Sequence, residues 1–114
     1  MLVILSGLPA AGKTTIARGL ATQIGAMHLR IDSIEQALRA AGRAIEDHGY
    51  RVAYAVAEDN LRLGRVVIAD SVNGWPLTRR AWQAVAQRAG TPALDVEVIC
   101  SDLNEHRRRV EARR

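Results

Sequence analysis

Eight consecutive residues, Gly7-Leu8-Pro9-Ala10-Ala11-Gly12-Lys13-Thr14, fit the pattern G-x-x-x-x-G-K-[ST]. The run Leu2-Val3-Ile4-Leu5 just before them reads as a short buried strand. The stretch Thr14-Thr15-Ile16-Ala17-Arg18-Gly19-Leu20-Ala21 just after them has apolar residues at helical spacing. A strand feeding such a loop and a helix leaving it constrain the chain to an α/β fold built around a phosphate-binding turn. Phosphate oxygens carry dense negative charge, so their site needs backbone N–H groups converging on one point. Gly7 and Gly12 let the backbone turn where a Cβ would clash. The N-terminus of the following helix adds free N–H groups and the positive end of its dipole. In this pattern Lys13 reaches the β- and γ-phosphates, and the Thr14 hydroxyl ligates Mg²⁺. The expected nucleotide-binding set is Gly7, Leu8, Pro9, Ala10, Ala11, Gly12, Lys13, Thr14 and Thr15.

Composition supports the motif at one point. Of 16 basic residues, the only lysine is Lys13, where the pattern calls for lysine. At 114 residues the chain is one domain. Its 48% hydrophobic content supplies a core, but without Phe that core must be Ala, Leu, Val and Ile. Cys100 is alone, which excludes an intrachain disulfide and suits a reducing, cytoplasmic setting. The N-terminal apolar run is too short for a signal peptide or a membrane span. The net charge of +4 is uneven: residues 1–104 carry +1, and residues 105–114, with five Arg and two Glu, carry +3. A nearly neutral body argues against a nucleic-acid partner.

The first strand covers about residues 1–6, and the first helix about 13–24. Residues 27–31 form a short strand with Met27, Leu29 and Ile31 on one face. A helix over 33–41 is stopped by Gly42, residues 42–48 form a loop, and a longer helix runs from Tyr50 to about Leu63. Residues 65–70 are nearly all apolar, as a strand buried on both faces should be. After the turn-rich Asn73-Gly74-Trp75-Pro76, Thr78 can cap a helix to Ala89, with Trp82, Val85, Ala86 and Ala89 as its apolar stripe. Residues 94–100 form a fourth strand, and a last helix is expected over about 103–113. Strands alternating with helices imply a parallel sheet covered on both faces. Ligands then sit at the carboxyl ends of the strands, where Gly7, Asp32, Asp70 and Ser101 all fall.

Asp32 has two readings. As a rim carboxylate it can take a proton from a hydroxyl attacking the γ-phosphate. Otherwise Asp32 or Ser33 is an N-cap, with Glu35 or Gln36 completing a capping box. Asp70 ends an apolar strand, the position of the acidic residue that holds Mg²⁺ or its waters; a strand-end turn is the plainer reading. Asn73 either bonds an acceptor or fixes its loop. Arg109 and Arg113, four apart on a helix, face the same way and can place cations over transferring phosphate, or they are a solvated basic end. Tyr50, Arg51 and Tyr54 either line an acceptor pocket or pack. His28, His48 and His106 are too scattered for a metal site, and Cys100, Trp75 and Trp82 read most simply as packing residues.

With these residues in order, the chain resembles the small phosphate-loop kinases of the adenylate-kinase-like group, and within it the AAA-33 type of predicted ATP-binding kinase. That type is similar to the polynucleotide 5′-hydroxyl kinase domain, gluconate and shikimate kinases, chloramphenicol phosphotransferase and the zeta toxins. The matching pieces are the loop of residues 7–14, Arg30-Ile31-Asp32-Ser33, Val67-Ile68-Ala69-Asp70-Ser71-Val72-Asn73, and Cys100-Ser101-Asp102 through His106-Arg107-Arg108-Arg109. The resemblance implies a three-layer fold with about four parallel strands in order 2-3-1-4. It implies ATP and Mg²⁺ as cofactors and a small-molecule hydroxyl acceptor. It makes Lys13, Asp32, Arg109 and Arg113 catalytic, Thr14 and Asp70 metal-binding, and Asp32, Asp70 and Asn73 acceptor-side residues. Family members continue past the arginine helix into the rest of a lid, a fifth strand and a last helix. The chain is therefore expected to be a C-terminally truncated domain without the fifth strand, with its fourth-strand edge open to self-association. Two alternatives accompany the kinase reading: a non-catalytic nucleotide-binding module, and a nucleic-acid 5′-hydroxyl kinase. A GTPase is disfavoured, because no Asn-Lys-x-Asp stretch exists.

Overall fold

A computed structural model of the chain describes residues 1–7, 12–71, 76–99 and 111–113. The elements run β1 (Leu2–Ser6), α1 (Lys13–Ile24), β2 (Met27–Arg30), α2 (Ile31–Ala40), α3 (His48–Arg62), β3 (Val67–Asp70), α4 (Pro76–Ala89), β4 (Ala93–Ile99) and β5 (Glu111–Arg113). The sheet order is β2-β3-β1-β4-β5. The first four strands are parallel and stand in the expected order 2-3-1-4.

The period-2 alternation of the strands divides the core in two. Leu2 and Ile4 of β1, Val67 and Ala69 of β3 and Leu29 of β2 join Ala53, Ala57, Leu61, Trp82 and Val85 from α3 and α4. Val3, Leu5, Ile68, Val96 and Val98 point the other way, toward Ala17 of α1. Gly49, Ala53, Ala57 and Leu61 recur every four residues and are the buried face of α3. Small residues there permit close approach: a Cβ on Gly49 would stand 2.8 Å from Cγ of Glu35 in α2. Trp82 is fully buried and meets Tyr54 edge-on, with ring centroids 4.7 Å apart. Burying a large apolar side chain contributes about 1.5–3 kcal/mol, so this contact carries much of the joint between α3 and α4.

Several elements differ from expectation. α2 starts at Ile31, with Arg30 as N-cap and no capping side chain, so neither Asp32 nor Ser33 is the cap. Ile31 is buried in the core, which draws the first helical turn two residues earlier and leaves Asp32 within it. α4 starts at Pro76, a residue pre-shaped for a first helical position, so Thr78 lies inside the helix. At the C-terminus, Glu111, Ala112 and Arg113 form a strand antiparallel to β4, opposite Ile99, Val98 and Glu97. Arg113 is therefore not on a helix. The sheet does not lack a fifth strand, and β5 covers part of the β4 edge that was expected to lie open.

Candidate functional site

β1 delivers the chain to Gly7 at the centre of the sheet. A Cβ on Gly7 would lie 2.5 Å from the Val98 carbonyl oxygen, and its φ of 143° is one that side chains disfavour. Gly12 sits before α1 with φ 80°, the left-handed turn that aims the helix N-terminus back at the rim. Among the expected loop residues, Leu8, Pro9, Ala10 and Ala11 lie outside the described residues, as do Asn73 and Arg109.

Lys13, the first residue of α1, is buried and donates to Oδ1 of Asp70. Asp70 is the last residue of β3 and stands in register with Leu5 of β1 and Arg30 of β2. Its side chain is fully buried. Its other oxygen, Oδ2, lies 2.8 Å from His28 Nε2 and accepts from the Thr14 hydroxyl at 3.4 Å. Residues 57 positions apart thus meet in one buried cluster, whose carboxylate neutralises a lysine that burial alone would not tolerate. Burial, followed by the nearby Arg30 charge, pulls the Lys13 pKa below its ordinary value, with Asp32 opposing. Burial also lowers the His28 pKa, and the charges of Arg18, Lys13 and Arg30 add to it. Thr15, one residue further along α1, is exposed.

Asp32 stands at the neighbouring strand end with 48% of its side chain exposed. Both of its described bonds fall on Oδ2, one from Arg30 at 3.2 Å and one from Gln36 at 3.1 Å. Oδ1 therefore accepts no bond from the described residues. Behind it, Tyr50 at the start of α3 is half-buried; burial raises its pKa, a hydrogen bond with Ser71 opposes that shift, and the Glu35 charge adds to it. Tyr50 also packs on the core and on Tyr54, with ring centroids 6.1 Å apart. The side chain is thus a packing residue.

The structure brings Lys13, Thr14 and Asp70 into direct contact and sets Asp32 one strand away. Arg113 lies in β5, at the β4 side of the sheet. Sequence reasoning missed His28. The signal was present in the alternation of Met27, Leu29 and Ile31, which turns residue 28 to the opposite face, the one Lys13 and Asp70 share.

No curated protein matches the sequence. Solved structures do. A Chloroflexus aurantiacus protein provisionally assigned as a kinase superposes with a TM-score of 0.74 at 23% identity, over 84% of this chain and 56% of the other. A variant of the APS kinase CysC of Mycobacterium tuberculosis superposes with a TM-score of 0.68 at 22% identity, over 84% and 74%. At such identities the likeness establishes the fold, and the chain spans little more than half the length of the first of these neighbours. The AAA-33 family model, described as an AAA domain, matches residues 2–114. With a phosphate loop between β1 and α1, and an acidic strand end closing on its lysine, the chain belongs to the AAA-33 family.

Proposed function

We propose that this protein is an ATP-dependent phosphotransferase that moves the γ-phosphoryl group of ATP to a hydroxyl of a small-molecule acceptor. The carrying observation is the convergence of Lys13, Thr14 and Asp70 at the end of β1 and β3, with the free oxygen of Asp32 at the same rim. Lys13 exchanges the Asp70 carboxylate for the β- and γ-phosphates. Asp32 accepts the proton of the acceptor hydroxyl, held in place by Arg30 and Gln36. The Thr14 hydroxyl and the Asp70 carboxylate are hard oxygen donors in mutual contact, which fits Mg²⁺. When bound with ATP, the ion offsets the charge that develops on the phosphate oxygens.

Melting the chain with and without Mg-ATP, beside Lys13→Ala, tests this reading. Ligand at about 100 times its dissociation constant adds roughly 2.7 kcal/mol, which for a domain this size is a shift on the order of ten degrees or more. The expected result is a shift in the wild type that Lys13→Ala abolishes, followed by ADP formation that depends on an added acceptor. Absence of the wild-type shift would sink the proposal. A second reading, a nucleotide-binding module without turnover, rests on the same convergence of Lys13, Thr14 and Asp70. That reading predicts the same thermal shift but no acceptor-dependent ADP.

A further inference from the structure

Resting on the phosphotransferase reading, we infer that His28 is a positioning residue: it holds the Asp70 carboxylate in place once nucleotide and metal have drawn Lys13 and Thr14 away from it.

Asp70 has three described partners: Lys13 on Oδ1, and His28 and Thr14 on Oδ2. Two of the three belong to the phosphate-binding segment and have other work when ligand arrives. Lys13 turns to phosphate, and the Thr14 hydroxyl turns to the metal. A buried carboxylate stripped of its donors is costly and free to rotate. His28 is the described donor that stays. It is anchored on β2, whose parallel register sets His28 opposite Ile68 and Arg30 opposite Asp70. That offset places the imidazole two positions behind the carboxylate on the same sheet face, with Nε2 2.8 Å from Oδ2. Only 16% of the His28 side chain is exposed, so little water competes for the bond. A carboxylate oxygen only accepts, so the bond calls for an imidazole N–H on the nitrogen that faces it. Placed on Nε2, that N–H fixes Oδ2 and leaves Oδ1 to turn toward the metal or its waters as Lys13 departs. Partners one step behind a metal-binding group typically change metal affinity by about 10–100-fold when removed.

The test compares wild type, His28→Leu and His28→Gln in the full chain. ATP affinity is measured by calorimetry in excess chelator and again across a Mg²⁺ titration. His28→Leu should bind metal-free ATP within about twofold of wild type but need about 10–100-fold more Mg²⁺ for the same enhancement. His28→Gln, which keeps an N–H donor, should recover most of that loss. An unchanged Mg²⁺ requirement in His28→Leu overturns the inference while leaving the phosphotransferase reading intact, as does a glutamine variant no better than leucine. A wild type that binds no Mg-ATP overturns the reading itself and the inference with it. A second measurement serves if His28→Leu does not fold. Nitrogen NMR of the ligand-free wild type should show the His28 proton on Nε2, with a signal that moves in Asp70→Asn. A proton on Nδ1 would overturn the inference.

Discussion

Two carboxylates stand one strand apart on the same rim and are held in opposite ways. Asp70, at the end of β3, is fully buried, and Lys13, His28 and Thr14 share its two oxygens. Asp32, just beyond β2, is half in solvent and keeps one oxygen free of described partners. In sequence the two look alike, each an acid at the end of a short strand. The difference comes from the sheet. β3 is flanked by β2 and β1, and α1 packs against it, whereas β2 is an edge strand with no described strand on its far side. Burial makes Asp70 an anchor for Lys13, and exposure leaves Asp32 open to solvent.

The most severe way to break this contrast is to remove the anchor. Asp70→Ala leaves Lys13 buried without its counter-charge and should cost about 3–5 kcal/mol, a large share of the roughly 5–15 kcal/mol that holds a domain folded. Urea unfolding measures it, and the double variant Lys13→Met with Asp70→Leu should regain most of the loss. A cost below about 1 kcal/mol would mean that Asp70 behaves as a surface carboxylate.

Asp32→Asn should show the reverse pattern. Its stability should stay within about 0.5 kcal/mol of wild type, while acceptor-dependent ADP formation falls about 10²–10⁴-fold. Retained turnover would remove the base role from Asp32 and leave the exposed end of the rim without a chemical task.

The smallest effect is expected at a third carboxylate. Glu58 on the outer face of α3 accepts from Arg62 at 2.7 Å and from Arg88 at 2.9 Å. Those hydrogen bonds, Arg62 first, hold its pKa below the usual carboxylate value. A lowered carboxylate pKa means that the unfolded chain takes up the proton first on acidification. Its contribution is present above the unfolded value and is lost as pH falls through the lowered folded one. Glu58→Gln should therefore lower the melting temperature slightly at neutral pH, leave it unchanged below the folded value, and so flatten that part of the acid limb of melting temperature against pH.

Much of this was legible before any coordinates. Lys13, Thr14 and Asp70 lie at points where a strand ends or a helix begins, and alternation alone puts those points on one rim. Four parallel strands in order 2-3-1-4 follow from the same pattern together with the family resemblance. What escaped was set by contacts distant in sequence. His28 gained a role only because the register of β2 against β3 lays it diagonally behind Asp70. The start of α2 moved because Ile31 is wanted in the core, an attraction that capping preferences near Asp32 do not express. Arg109 and Arg113 carry a helical spacing, but no apolar period accompanies it in the sequence. Pairing of Glu111–Arg113 with β4 overrode the local pattern at Arg113.

The position of Lys13 has a consequence for covalent chemistry. It is the chain's only lysine, so the amino groups available to a reagent are two, its ammonium and the N-terminus. A lysine-directed protease has a single bond to cut, the one after Lys13, and that bond lies in the first turn of α1 with the side chain it must grip only 4% exposed. The other 15 of the 16 lysine-plus-arginine residues are arginine and invisible to both reagents. Acylation or cleavage at this one place therefore reads directly how often the Lys13–Asp70 pair comes apart, and a ligand that seals or opens the loop writes its occupancy there as a single, internally referenced mark.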